Sequence, residues 1–451
     1  MADDSGDLRL EPRPLVWLAI ALLFVGSGCA ALIYEVVWLH LLRQVIGAST
    51  ISLGILLASF MGGMCLGSLL LPWMVPARFH PLRVYAVLEL AIGAIGGTLP
   101  WWLPALGDWY LSVASESFTG ISARAAVAAI ALLPPTMLMG ATLPAIARWV
   151  RSTPAGLGRL GLFYGTNILG AVVGCLWAGF VLLPQTDTLA TSHVAAAING
   201  VVAVVALVLA FVVPYRVADE ADAASADDKV NVPVAVAVVA AISGFTALGA
   251  EVVWTRLLAL LFGSTVYTFA IILAVFLTGL GLGSTAAAWA SRWMRRPLLW
   301  LAGAQLALVC LVPYANYKIV RDVPYRPRPI VVEPDDIYRV FKHDTHRAAV
   351  ALLLPALFWG ASFPLALAAA ARGRGDTGRL VGQMYAANTL GAILGALLTV
   401  ALLVPWIGSQ RTQQLLVVGS GIAAFVAFAA ERKHWENAPA AQLLLTRFTR
   451  F

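Results

Sequence analysis

Three carboxylic acids, Glu35, Glu89 and Glu251, stand inside apolar runs long enough to cross a membrane. A charged side chain at the centre of a membrane helix costs roughly 2.5–3.5 kcal/mol on insertion scales. Groups kept at that cost can receive a cation or relay protons in a cavity between helices. The alternative is structural, with each acid capped or paired locally. His40 and Arg256 follow Glu35 and Glu251 by five residues, and Arg43 follows Glu35 by eight, spacings that suit a direct helical pair poorly. Glu35 and Glu251 also fall about two and three turns before the ends of their spans, in the half nearer the exterior interface, toward which they can snorkel.

Trp38 and Trp254 come three residues after Glu35 and Glu251, which puts acid and indole on one helix face. That face can be an aromatic wall for an ammonium group, or the tryptophans can belong to the aromatic belt at the interface. Asn167 and Asn388 are each followed by glycines three and seven residues on. Spaced small residues let membrane helices approach closely, and an asparagine there either meets a solute or hydrogen-bonds across the contact.

The elements that position these groups follow from composition. The chain has 451 residues, 60% of them apolar and 12% charged, with a mean hydropathy of +0.84. An ordinary soluble domain is about 45–50% apolar and about 25% charged. Here there is too little polar surface for a water-soluble fold, and too much apolar sequence for disorder. Cys29, Cys65, Cys175 and Cys310 lie far apart in apolar segments, never as CxxC, and read as packing residues. The first fourteen residues, MADDSGDLRLEPRP, are acidic and mixed, and the apolar run after them is too long for a signal-peptide core, so the first segment reads as an uncleaved span.

Twelve stretches suffice to cross ~30 Å of hydrocarbon: 14–42, 50–75, 83–106, 124–147, 160–184, 189–214, 232–262, 265–290, 297–315, 348–371, 380–406 and 412–430. The period-2 alternation of a membrane barrel is absent, so backbone satisfaction in lipid requires helices. The fold class is therefore an all-α polytopic membrane protein. With the N-terminus inside, 19 of the 30 Lys and Arg fall on inside segments, and seven of the other eleven lie between Lys318 and Arg347. The positive-inside rule then places both termini in the cytoplasm of a bacterial inner membrane. The net charge of +7 is anchoring charge, and no basic stripe with interleaved aromatics suggests nucleic acid.

The chain repeats itself. Residues 27–68 match 243–284 without a gap at 19 of 42 positions, including SG, EVVW and LGS. The same offset sets Glu89 opposite Gln305, which joins the candidate solute-binding set of Glu35, Glu89, Glu251, Gln305, Trp38, Trp254, Asn167 and Asn388. LPPTMLMGATLP (133–144) answers LLPALFWGASFP (353–364), and Tyr164 to Gly174 answers Tyr385 to Gly395. Two homologous six-helix bundles in parallel orientation result, which implies an axis along the membrane normal. The boundaries are 1–214 for the first repeat, 215–231 for a polar cytoplasmic linker, 232–430 for the second repeat and 431–451 for a cytoplasmic tail. Pro135, Pro144, Pro355 and Pro364 are expected to break or kink the fourth and tenth spans.

The motifs SG-x-x-AL-x-x-EVVW-x-x-LL, F-x-x-G-x-x-LGS, GA-T/S-x-P and Y-x-x-N-x-x-GA-x-x-G run through nearly the whole chain. They resemble the membrane portion of the bacterial integral-membrane spermidine-synthase-like proteins, also described as fused transporter/spermidine-synthase proteins. The resemblance implies a polyamine connection and a soluble aminopropyltransferase-like domain after the membrane part. Beyond about residue 430 only ERKHWENAPAAQLLLTRFTRF follows, with no Gly-rich loop opening a βαβ unit. The expectation is a chain that is not itself an enzyme and carries no cofactor. A major-facilitator reading rests on span count, because ARFHPLR and SRWMRRP stand where that group's acidic–basic signature belongs.

Residues 316–347 form an exterior loop without counterpart in the first repeat, with extended Pro/Arg sequence and a short strand at IVVE. His343, Asp344 and His346 are too few and too mixed with basic residues for a metal site. The loop suits docking of a protein partner. Three functions compete: a carrier of a small cationic amine working by alternating access, a non-transporting scaffold subunit, and a membrane module for a separate synthase chain. In each the lipid bilayer is the constant partner.

Overall fold

The computed structural model describes residues 14–47, 50–76, 78–113, 118–149, 154–213, 215, 232–263, 265–325, 336–371 and 377–436. Every regular element among them is helical. The first half comprises α1 (Pro14–Ile46), α2 (Thr50–Met74), α3 (Pro81–Val113), α4 (Phe118–Ala147), α5 (Pro154–Trp177) and α6 (Thr188–Val212). The second comprises α7 (Val234–Phe262), α8 (Val266–Ser291), α9 (Pro297–Tyr317), α10 (Asp336–Ala370), α11 (Thr377–Leu398) and α12 (Val404–Glu436). Among the described residues, eleven continuous apolar stretches are long enough to cross a membrane; the last, Leu380–Arg432, has 53 residues. At helical rise that is about 80 Å, far more than one crossing of ~30 Å. Gly408, with φ of 78°, breaks it inside α12, so α11 and most of α12 are separate passes.

The helix contacts repeat between the halves. In the first bundle α1 packs on α5 and α6, α2 on α4, and α3 on α4 and α6. In the second, α7 packs on α11 and α12, α8 on α10, and α9 on α10 and α12. The bundles meet through two equivalent seams, α2 with α11 and α5 with α8. We call the side where α1 starts and α12 ends the terminal side, and the opposite side distal. Leu18, Val204, Phe211, Leu306 and Phe425 are among the exposed large apolar residues, and in a bilayer they face lipid.

Because lipid tails are as apolar as leucine, burial does little to drive helices together, and close van der Waals packing must do so. The spaced glycines provide it. A Cβ on Gly170 or Gly174 of α5 would strike the carbonyl oxygens of Val25 or Cys29 on α1. A Cβ on Gly391 or Gly395 of α11 would strike those of Ala241 or Phe245 on α7, the repeat equivalents. Gly67 against Met137 and Gly283 against Leu357 repeat the arrangement at α2–α4 and α8–α10. Gly47 and Gly263, with φ of 83° and 96°, close α1 and α7 at matching positions, where an L side chain would be strained.

One expectation is corrected in part and another outright. Of the break or kink expected at the prolines, the break does not occur: α4 and α10 remain helical through Pro134, Pro135 and Pro144 and through Pro355 and Pro364; neighbouring helices hold such segments in place although each proline removes a backbone bond. The described parts of 316–347, residues 316–325 and 336–347, are helical. α9 runs on through a π turn, Lys318–Asp322, and a 3-10 turn, Val323–Tyr325, and α10 already starts at Asp336. Hydropathy marks the thickness of hydrocarbon, whereas these helices project beyond it, supported by Lys318–Asp322 at 3.1 Å and Asp344–Arg347 at 3.3 Å. The IVVE segment, most of the linker and residues 437–451 lie outside the described residues.

Candidate functional site

Glu35 on α1 and Glu251 on α7 hold equivalent repeat positions, and their carboxyls lie within electrostatic reach of one another. Cys175 on α5 interacts with both, and its Sγ donates to the Ala270 carbonyl of α8 at 3.7 Å. The two acids therefore sit beside the α5–α8 seam, between the bundles. Glu35 is 9% exposed and Glu251 is half-buried. Among the described residues neither carboxyl has a hydrogen-bond or ion-pair partner. Two ionised carboxylates in such a setting repel strongly, and a cation placed between them converts that repulsion into attraction.

A cleft of about 390 Å³ opens on the distal side of this pair. His40, five residues beyond Glu35, lines it together with Gly179, Asp187 and Tyr267. Gly179 lies one turn beyond Cys175, in the π turn Ala178–Leu182 that continues α5, and Tyr267 less than one turn before Ala270 on α8, so the cleft floor adjoins the level of the acids. His40 is held by Gln44, Nε2 to Nε2 at 3.2 Å, and Asp187 caps α6 by accepting from the Ala190 N–H at 2.6 Å.

Glu89 and Gln305 lie elsewhere, each within its own bundle. Glu89 is fully buried; its Oε1 accepts from Ser27 Oγ of α1 and its Oε2 from Asn199 Nδ2 of α6, both at 2.6 Å. Gln305, also fully buried, donates through Nε2 to Ser243 Oγ at 3.1 Å and Ser362 Oγ at 2.8 Å. Ser243 is the repeat counterpart of Ser27.

Trp38 and Trp254 are 1% and 0% exposed, packed inside their bundles away from lipid. Trp38 stacks on Tyr34 at 4.9 Å, and its Nε1 has no partner among the described residues. Trp254 Nε1 donates to Gln413 Oε1 at 2.9 Å, and Gln413 in turn donates to Asn316 Oδ1 at 2.9 Å. Asn167 donates through Nδ2 to the Phe24 carbonyl at 3.2 Å across the α5–α1 contact. Asn388 makes the equivalent close approach, its carbonyl oxygen lying where a Cβ on Gly244 would fall.

The terminal side is sealed. Tyr164 of α5 and Tyr385 of α11 meet edge to face at 6.4 Å, and Phe363 of α10 packs on them at 4.7 and 6.0 Å. Tyr385 OH also reaches Met64 Sδ of α2 at 3.5 Å. These rings belong to one apolar core that runs through both bundles. Distally the core divides into a cluster around Trp38 and another around Trp254. They meet where Ala270 and Leu273 of α8 pack against the first, and where Phe180 lies 5.4 Å from Tyr267 and 4.5 Å from Phe341. The sequence carried a signal for the tyrosines, since each heads the same repeated motif. It carried none for Cys175, whose counterpart is Ala396.

No protein-family model matches the chain. The curated protein Polyamine aminopropyltransferase 2 of Streptomyces coelicolor is 30% identical over 205 residues, which are 43% of this chain and 34% of that protein. The chain thus matches about a third of that relative's length. Among solved structures, FucP, a major facilitator superfamily transporter in the outward conformation, aligns over 91% of this chain and 98% of its own, at 14% identity and a TM-score of 0.52. A bacterial homologue of the iron transporter ferroportin, outward-facing with soaked iron, aligns over 94% and 99% at 12% identity and a TM-score of 0.60. Likeness at such identities concerns the fold alone, and these neighbours have twelve-helix, two-repeat folds. The chain is a multi-pass membrane protein whose fold resembles that of major-facilitator and ferroportin transporters.

Proposed function

We propose that the protein is a carrier of a small organic cation of the polyamine class, with Glu35 and Glu251 as its binding groups. The supporting observation is their convergence: two repeat-equivalent carboxyls without a basic partner lie between the bundles, beneath a cleft that contains Asp187 and the Tyr267 ring. An ammonium group there gains charge attraction and a cation–π contact. The likeness to an aminopropyltransferase supports an amine over other cations. Rocking at the α2–α11 and α5–α8 seams would open the Tyr164–Tyr385 seal while closing the distal cleft. Asn167, Asn388, Trp38 and Trp254 support the helices that carry the acids, and the charge asymmetry favours a bacterial inner membrane with both termini cytoplasmic. The test is uptake of radiolabelled putrescine or spermidine into proteoliposomes. Uptake that Glu35→Gln or Glu251→Gln abolishes supports the reading; uptake unchanged in both overturns it.

The same aminopropyltransferase likeness favours a second reading, in which the chain is the membrane module of a separate synthase or a scaffold, docking a partner near 316–347. Purification from native membranes with mass spectrometry of bound proteins and small molecules separates the two.

A further inference from the structure

One position of the repeated half carries an acid in the first copy, Glu89, and the matching neutral amide in the second, Gln305. Both side chains are fully buried, and both bond to the equivalent serine, Ser27 or Ser243. The fold thus accommodates an uncharged group of this shape. What surrounds Glu89 is polar without being cationic. α1 presents Ser27 and Tyr34, α3 presents Tyr85, and α6 presents Asn199. Among the described residues no Lys, Arg or His pairs with it, from α4 or from any other helix. Beside the carboxyl, Asn199 Oδ1 is buried with no hydrogen-bond partner among the described residues. Both carboxyl oxygens are held by neutral donors, Ser27 Oγ and Asn199 Nδ2, so no fixed positive charge opposes the arrival of a proton there.

We infer that Glu89 is a proton-binding site through which the carrier couples to a proton gradient, with Gln305 as its permanently neutral counterpart. The step is simple in balance: the carboxylate takes one proton from one side and returns it to the other, and no other bond changes. α1 carries Glu35 two turns beyond Ser27, so movement of α1 links Glu89's surroundings to the solute site. The inference rests on the carrier reading and adds the coupling ion.

The test compares wild type with Glu89→Gln in proteoliposomes, using radiolabelled putrescine under an imposed pH gradient. Gln305 shows that the amide fits, so unchanged thermal unfolding is expected. Exchange of putrescine at equal pH should persist in the variant, while gradient-driven accumulation should be lost. Retained accumulation overturns the inference. Independently, infrared difference spectra across acid and alkaline pH should show a protonated-carboxyl band in wild type that Glu89→Gln lacks; identical spectra also overturn it. If wild type moves no putrescine, the carrier reading fails, and the infrared band alone then decides whether Glu89 binds a proton.

Discussion

Tyr164 and Tyr385 occupy the same position in the two repeats and touch one another, ring centroids 6.4 Å apart. When a residue meets its own symmetry mate, both lie close to the axis relating the halves. This pair therefore marks the centre of the protein on its terminal side, and Phe363 and Met64 close around it. Truncating both rings should loosen the seal. Both rings are partly buried, so removing one should cost less than the roughly 3–5 kcal/mol of a fully buried ring, and here the loss falls on the closed state. In a background with exposed Cys310 replaced, Tyr164→Ala with Tyr385→Ala should make half-buried Cys65 react faster with a soluble maleimide, while buried Cys29 stays unreactive.

The acids at the seam should behave as one unit. Glu35→Gln and Glu251→Gln should each impair amine uptake, and the double variant should be little worse than either. Residues in mutual contact show coupling energies of about 0.5–3 kcal/mol. Additive losses in initial uptake rates would mean that the two carboxyls bind separately.

The glycine contacts predict opposite outcomes for similar substitutions. Gly391→Ala places a methyl on the Ala241 carbonyl oxygen and should cost about 1–3 kcal/mol by overpacking. Gly303→Ala, on an exposed face of α9 with nothing within 4 Å, should stabilise by roughly 0.5–1 kcal/mol through helix propensity. Thermal unfolding in detergent distinguishes them.

Trp38 and Trp254 offer a matched pair. Phenylalanine at either site removes similar volume, but at Trp254 it also strands Gln413 Oε1. Leaving a buried acceptor unsatisfied costs about 1–3 kcal/mol. Trp38→Phe removes an N–H without a partner and should be the milder change by that margin in the same unfolding assay.

Much of this architecture could be read from residues, for a physical reason. Helices that touch backbone to backbone demand glycine, so Gly170, Gly174, Gly391 and Gly395 advertise their contacts. The repeat exposed which contacts recur. By contrast, a glutamate in an apolar run shows its cost but not which face of the helix it occupies. Glu89 turns into its own bundle and Glu35 toward the other, and no spacing distinguishes them. The nearness of Glu35 to Glu251 depends on how the two bundles lean together at α5 and α8, a relation between segments far apart in sequence. Hydropathy falls short of the helix ends around 316–347 because Lys, Asp and Arg end a hydropathic window without ending a helix.

The π turns carry a last consequence. Besides the one at Lys318–Asp322, a π turn at Ala178–Leu182 continues α5 and another at Thr399–Leu403 continues α11, and these two begin 221 residues apart, the offset that also relates Tyr164 to Tyr385. A π turn is a helix holding one surplus amino acid. Its recurrence at the same place gives both copies the same one-residue change of helix register, so the side chains beyond it keep matching bearings about the axis that relates the halves.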